Sequence, residues 1–188
     1  MKTNISLGVS LISSCLVIYS NTLLANDTDL VATTVPASAC VPVSSTDMNR
    51  ARLSNGAWVF SGSSTGTIRL YCPLPVNAFT LSNSSNDNDI TRYRVYYRDS
   101  DATGNDAIVR TRLVYRTSSG MFYAGSTWSS NTPNFSSTSL TGNRIDIHPN
   151  PHDVRSNALY SFYISIYRRN TSQNPVFSGI DFPVYQVE

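Results

Sequence analysis

Leu159-Tyr160-Ser161-Phe162-Tyr163-Ile164-Ser165-Ile166-Tyr167-Arg168 decides the fold class of this chain. Successive strand residues point to opposite faces of a sheet. Here Phe162, Ile164 and Ile166 share one side, a core face, and Ser161, Tyr163, Ser165 and Tyr167 share the other. The same alternation recurs over Ala107–Arg116. There Val109, Leu113 and Tyr115 lie with Thr111 on one side, and Ile108, Arg110, Arg112, Val114 and Arg116 on the other. Over Thr91–Arg98, Tyr93, Val95 and Tyr97 oppose Arg92, Arg94, Tyr96 and Arg98.

Working outward, shorter β-like runs are expected near Arg50–Leu53, Ala57–Ser61, Thr67–Cys72, Ala78–Ser82, Met121–Ala124, Phe135–Leu140, Arg144–His148 and Pro175–Val184. Turn residues punctuate them, as at Asn55-Gly56, Gly142-Asn143 and Pro149-Asn150-Pro151. A single helical turn fits Thr46–Arg50. Nine or more short strands predict an all-β fold, an antiparallel β-sandwich of jelly-roll type. Composition agrees. The 188 residues include twenty-nine Ser, eighteen Thr and seventeen Asn, but one Lys (Lys2) and one Glu (Glu188). Lys and Glu are strong helix formers, so a helical bundle is excluded. Eleven Tyr, seven Phe and two Trp favour strands.

The first 25 residues read as a signal peptide. Lys2 precedes a mostly apolar run from Ile5 to Leu24, and Leu23-Leu24-Ala25 offers a cleavage site. The interruptions Ser10, Ser13, Ser14, Ser20, Asn21 and Thr22 argue against a membrane anchor. Cys15 sits inside the apolar run, which argues against lipidation. Export to the periplasm or the cell exterior is therefore expected, with no membrane span after the leader is removed. Residues 26–38 are polar and without periodicity, a flexible lead-in to one β-sandwich domain over 39–188. Without the leader two cysteines remain, Cys40 and Cys72, and an even count in an exported chain predicts a disulfide. Two Cys with two distant His make a poor zinc pattern.

The runs Thr91–Arg98 and Ala107–Arg116 flank Asp99–Asp106 and are expected to pair as an antiparallel hairpin. A register of Val95 with Val109, Tyr93 with Thr111 and Tyr97 with Ala107 sets apolar on apolar. It also sets Arg94 opposite Arg110 and Arg92 opposite Arg112, and like charges directly opposite are destabilising. An Arg–Tyr face of Arg92, Arg94, Tyr96, Arg98, Arg110 and Arg112 would then favour an anion. The competing account is a solvated surface with Arg side chains laid over Tyr rings.

The run Cys40…Gly66-Thr67-Ile68-Arg69-Leu70-Tyr71-Cys72-Pro73, the turn Tyr97-Arg98-Asp99-Ser100-Asp101-Ala102-Thr103-Gly104, the pair Val109…Leu113 and the terminal pattern Tyr160…Ile164…Ile166…Arg168…Val176-Phe177-Ser178-Gly179-Ile180-Asp181-Phe182 carry a resemblance. The chain resembles a group of uncharacterised bacterial exported proteins from about Cys40 to Phe182. The resemblance implies export, a disulfide and a β-sandwich, and brings no activity.

Asp99-Ser100-Asp101-Ala102-Thr103-Gly104 matches the first half of a calcium loop, with oxygens at positions one, three and five and Gly at six. Position twelve is Arg110, not a bidentate Glu, so candidate calcium ligands reduce to Asp99, Asp101, Thr103 and Asp106. Asp and Asn are also ordinary loop-tip residues. His148-Pro149-Asn150-Pro151-His152-Asp153 holds both His, but its two prolines forbid a regular helix, so a loop is expected. No nucleophile elbow, P-loop, dinucleotide fingerprint or zinc-protease motif is present, so no catalytic residue is assigned. Trp58, alternating with Phe60, is expected in the core, whereas Trp128 in the polar run Gly125–Asn134 is the exposed aromatic candidate.

The leading expectation is an exported, non-catalytic β-sandwich, carbohydrate-binding-like, that binds a surface or matrix component. Its ligand would be a surface or matrix component such as an acidic glycan, because guanidinium matches carboxylate bidentately. A net charge of about +1 without the leader speaks against nucleic acid. The rivals are two. One is a structural subunit whose 26–38 arm adds to a neighbour's sheet. The other is a small hydrolase using Asp146, His148, His152 or Asp153.

Overall fold

The computed structural model describes residues 33–74, 89–90, 92–135, 137–146, 152–153, 155 and 157–182. The expected leader, the strand at 78–82 and His148 lie outside the described residues. The elements are β1 (Thr33–Pro36), a 3-10 turn (Ala37–Ala39), β2 (Val41–Pro42), α1 (Ser45–Arg50), β3 (Ala51–Ser54), β4 (Ala57–Phe60) and β5 (Gly66–Pro73). There follow β6 (Asp89–Ile90), β7 (Arg92–Arg98), β8 (Ala107–Thr117), β9 (Gly120–Ser129), β10 (Thr141–Asp146), β11 (His152–Asp153), β12 (Leu159–Arg168) and β13 (Val176–Phe182).

Two antiparallel sheets form the sandwich. The first runs β10-β7-β13-β4-β3, with β1 also paired to β13, and the second runs β2-β5-β12-β8-β9. The chain changes sheet between β1 and β2, β2 and β3, β4 and β5, β7 and β8, β9 and β10, and β12 and β13, and passes through a small β6–β11 pair between β5 and β7 and between β10 and β12, in jelly-roll fashion. The inward faces are those that alternation assigns. Tyr93, Val95, Tyr97, Phe177 and Ile180 of the first sheet meet Ile68, Leu70, Val109, Leu113, Phe162, Ile164 and Ile166 of the second, all buried.

The expected hairpin does not form. Strand β7 pairs with β10 and β13, and β8 pairs with β12 and β9, so the two lie in opposite sheets. Residues Asp99–Asp106 cross the sandwich. Tyr93 and Thr111 do meet, Oη to Oγ1 at 2.8 Å, but across the core and not side by side. Period-2 patterning fixes which face is buried; it does not say whether the partner face is lateral or opposite.

Four further expectations are corrected. Within the lead-in expected to be flexible over 26–38, the described part is ordered: Thr33–Pro36 is a strand on β13, with Val35 and Ala37 buried. That strand docks where β13 bulges at Phe177/Gly179; Gly179 has φ +137°, and a Cβ there would meet the Val35 carbonyl oxygen at 2.8 Å. Strand β9 continues from the expected Met121–Ala124 to Ser129, while Phe135–Leu140 is turn and coil over its described residues. His152–Asp153 is a short strand paired with Asp89–Ile90, not loop. Trp128 is buried, at 7% exposure, packed edge-on against Tyr97 and Phe135. Trp58 is in the core as expected, its Nε1 donating to the Ala37 carbonyl at 2.7 Å.

Cys40 and Cys72 form the disulfide, joining the 3-10 turn to β5. Beyond the short β2, a carboxylate finishes the β5 edge. Asp47 is fully buried in α1, and its Oδ1 accepts from the Arg69 backbone N–H (3.0 Å) and Nε (3.2 Å). Ser44 caps α1 by accepting from the Asp47 N–H and donating to Oδ2 at 2.5 Å. Burial pushes the Asp47 carboxyl up, but the bonds from Ser44 and Arg69 outweigh it, so the group titrates below its ordinary 3.8. Replacing both cysteines by Ser should lower unfolding free energy by about 3–4 kcal/mol, the loop-closure value for a separation of 32. Asp47→Ala should lose about 1–3 kcal/mol at neutral pH through the orphaned Arg69 and Ser44 donors. The Asp47 contribution is present above pH 3.8 and is lost as pH falls through the lower folded value, which denaturant titrations from pH 7 to pH 3 would read.

Candidate functional site

Strand pairing in the second sheet aligns an outward row that no single segment reveals. Tyr163 of β12 stands opposite Tyr71 of β5 on one side and Arg112 of β8 on the other. One step along, Ser165 stands between Arg69 and Arg110. The Tyr71 and Tyr163 rings meet edge-on at 5.4 Å between centroids. Arg112 lies over the half-exposed Tyr123 ring of β9, its Cζ 3.8 Å from the centroid. Arg110, Arg112, Tyr123, Thr127, Tyr163 and Ser165 line a groove of about 180 Å³.

The electrostatics of this face are one-sided. Among the described residues neither Arg110 nor Arg112 makes an ion pair, and the buried Nε of Arg112 makes no hydrogen bond. Arg69, half-exposed, is paired with the Asp47 carboxylate. An anion placed in the groove would therefore meet guanidinium donors that no described carboxylate neutralises.

The other four members of the expected Arg–Tyr cluster are on the opposite outer surface, and they are engaged there. Arg94 Nη1 lies 3.6 Å from Asp181 Oδ2, and Tyr96 donates its hydroxyl to the same oxygen at 2.7 Å. Arg92 Nε is 3.9 Å from Asp146 Oδ1, which Arg144 Nε also reaches at 3.0 Å. Arg98 donates to the Asn174 carbonyl from Nε (3.3 Å) and Nη2 (3.0 Å). The structure thus splits the expected site: Arg110 and Arg112 remain on an Arg–Tyr face, while Arg92 and Arg94 are ion-paired and Tyr96 and Arg98 are hydrogen-bonded on the opposite surface. Trp128, the expected stacking ring, contributes to the core instead. Tyr71, Tyr123 and Arg69, which sequence reading did not place in the candidate site, stand beside Arg110, Arg112 and Tyr163 on this face. Outward position was readable for Tyr163; its neighbours were not, because they come from strands far apart in sequence.

The calcium-like run does not gather its four candidates. Thr103 is exposed, and Asp106 turns to Asn170 (Nδ2 to Oδ2 2.7 Å) and Arg169 (3.8 Å). Asp101 Oδ2 instead accepts from the backbone N–H groups of Asp106 (2.7 Å) and Ala107 (3.1 Å), folding the corner. Gly104 is the residue this closure tolerates, since a Cβ would fall 2.2 Å from that oxygen. Asp99 is fully buried: its Oδ2 accepts the Ser130 hydroxyl, and Ser130 Oγ accepts from the Val109 N–H at 2.9 Å. Among the described residues no three His, Cys, Asp or Glu converge as a metal cage. Of the hydrolase candidates, His148 lies outside the described residues, and Asp146 and His152 have separate partners. Asp146 is held by Arg144 and Arg92, while His152 packs on the Tyr115 ring at 4.7 Å and bonds the Tyr160 hydroxyl at 3.0 Å.

No family model and no curated protein matches this chain. Similar solved structures include the xylan-binding module CBM15, at 8% identity over 85% of this chain and 99% of that one, TM-score 0.46. The CBM22-1-GH10 modules of a Clostridium thermocellum xylanase match at 14% identity, 81% of this chain and 28% of that one, TM-score 0.41. A family two carbohydrate esterase from Cellvibrio japonicus matches at 8% identity, 83% of this chain and 36% of that one, TM-score 0.40. The chain thus spans about a third of the length of the esterase and the xylanase. The likeness concerns layer architecture, and no residue role is carried across.

Burial pushes the Asp99 carboxyl up to about 7, with the neighbouring Asp101 adding to the rise and the Ser130 hydroxyl opposing it. A folded value above the unfolded 3.8 means that folding takes up a proton between these limits. Stability from this group is therefore present at acid pH and declines as pH rises from about 4 to about 7. Asp99→Asn should flatten that decline in thermal unfolding. An unchanged slope in the variant would refute the assignment.

Proposed function

We propose that this chain is an exported, non-catalytic glycan-binding protein whose ligand carries carboxylates. The outer face of the second sheet is its binding surface. The observation that carries this reading is the contrast between the two faces: Arg92, Arg94 and Arg144 are matched with Asp146 and Asp181, whereas Arg110 and Arg112 face a tyrosine-lined groove with no carboxylate partner among the described residues. Tyr71, Tyr123 and Tyr163 supply flat apolar surface for the C–H faces of sugar rings. Arg110 and Arg112 supply planar donors for uronate carboxylates, and Thr127 and Ser165 supply hydroxyls. The Cys40–Cys72 disulfide suits an oxidising compartment, periplasmic or extracellular. No helix among the described residues is long and apolar enough to cross a membrane.

Native gel electrophoresis through alginate or polygalacturonate tests the reading. Wild-type protein should be retarded by the polyuronate, and less so as salt screens the guanidinium groups. Arg110→Ser/Arg112→Ser should weaken binding at least ~10-fold, since hydrogen bonds to charged groups are worth about 1.5–3 kcal/mol each. Tyr163→Ala should weaken it as well. Arg52→Ser, an exposed single-charge control on β3, should leave it nearly unchanged. Equal retardation of wild type and the double variant would sink the assignment to this face.

A further inference from the structure

Between the β9 edge of one sheet and the β10 edge of the other lies a cleft of about 280 Å³. Tyr93, Trp128 and Phe135 give it an aromatic lining, and Thr132, Arg144 and Asp146 give it a polar one. Its size falls just under the roughly 300 Å³ at which sites for drug-sized ligands begin, so it suits one ring and not an oligomer.

Two observations specify the chemistry. Trp128 is 7% exposed, yet its indole Nε1 makes no hydrogen bond among the described residues. Buried donors in folded proteins are nearly always paired, and this one, closed to solvent in a residue that lines the cleft, still lacks its acceptor among the described residues. The second observation is charge balance. Arg144 Nε and Asp146 Oδ1 are 3.0 Å apart, so the lining offers a donor and an acceptor without net charge. This differs from the groove on the sheet face, where Arg110 and Arg112 are unmatched.

We infer that the edge cleft is a second, distinct subsite, taking one uncharged pyranose-type ring. This inference rests on the glycan-binding reading. A hydroxyl oxygen of the ring accepts from Trp128 Nε1, and its other hydroxyls reach Asp146 and Arg144. Thr127 lines both the cleft and the groove, so the two sites adjoin at the β9 edge.

The two tryptophans make the test internal. Trp58 Nε1 is bonded to the Ala37 carbonyl at 2.7 Å and serves as the reference; Trp128 Nε1 is the reporter. In ¹H–¹⁵N spectra of the oxidised protein, methyl β-glucoside, methyl β-xyloside and methyl β-galactoside are titrated separately, with glucuronate as the charged comparison. At least one should move the Trp128 indole resonance saturably while leaving that of Trp58 in place. Asp146→Ala should weaken that titration about tenfold, the loss of one good hydrogen bond. Arg110→Ser/Arg112→Ser should leave it unchanged. A static Trp128 signal with all three glycosides overturns the inference, as does preferential binding of glucuronate in the cleft. The two readings fail separately. Polyuronate retardation indifferent to Arg110 and Arg112 removes the face and leaves the Trp128 titration standing. A static Trp128 beside Arg-dependent retardation removes the cleft alone.

Discussion

A buried carboxyl at a corner of the chain organises both outer surfaces. Asp99 ends β7 in the first sheet and receives the Ser130 hydroxyl from beyond β9 in the second. Ser130 Oγ also takes the Val109 N–H at the start of β8, and the Asp99 N–H goes to the Ser137 carbonyl at 2.9 Å. These bonds fasten the point where the chain leaves one sheet for the other. Had β7 and β8 paired side by side, Arg92 and Arg94 would have stood beside Arg112 and Arg110. Crossing the sandwich at Asp99–Asp106 sends the two arginine sets to opposite surfaces and removes that repulsion.

Separation lets each set find its own environment. On the first sheet β10 and β13 flank β7 and bring Asp146 and Asp181 to Arg92 and Arg94. On the second sheet β12 and β9 flank β8 and bring Tyr163, Ser165 and Tyr123. Ion pairs on an exposed surface stabilise little, typically below about 1 kcal/mol each. Their consequence here is to cancel charge on one face. The chain's small net charge therefore conceals a local excess of guanidinium on the other.

The sequence predicted what depends on one strand at a time. Alternation in 159–168, 107–116 and 91–98 placed Phe162, Val109 and Tyr93 inward and Tyr163, Arg110 and Arg94 outward, and each is so placed. The disulfide, the helical turn expected at 46–50 and found at 45–50, and the burial of Trp58 were legible from residue type and spacing. What failed depends on which strands become neighbours. Tyr71 and Tyr163 are far apart in sequence and meet only because β5 and β12 pair. Trp128 misled because its neighbours Ser126, Thr127 and Ser129 are polar. The run is not a loop but a bulged strand that turns those residues away from the core and the indole toward it. Asp99 and Asp101 misled because a metal loop and a carboxylate-folded corner call for the same residues.

An exposed sheet face raises the problem of its edges, because unpaired strand edges recruit other strands. Both edges of the second sheet are interrupted. At one, β2 contributes only Val41 and Pro42, after which the Val43 N–H and the Asp47 carboxylate take over the Arg69 backbone groups. At the other, Gly125, Ser126 and Thr127 of β9 stand against the single residue Arg112 of β8, a bulge that breaks the ladder. That bulge lies beside the Arg–Tyr groove, to which it contributes Thr127. The irregularity that interrupts this edge is thus also what shapes the groove wall beside the exposed tyrosines and arginines.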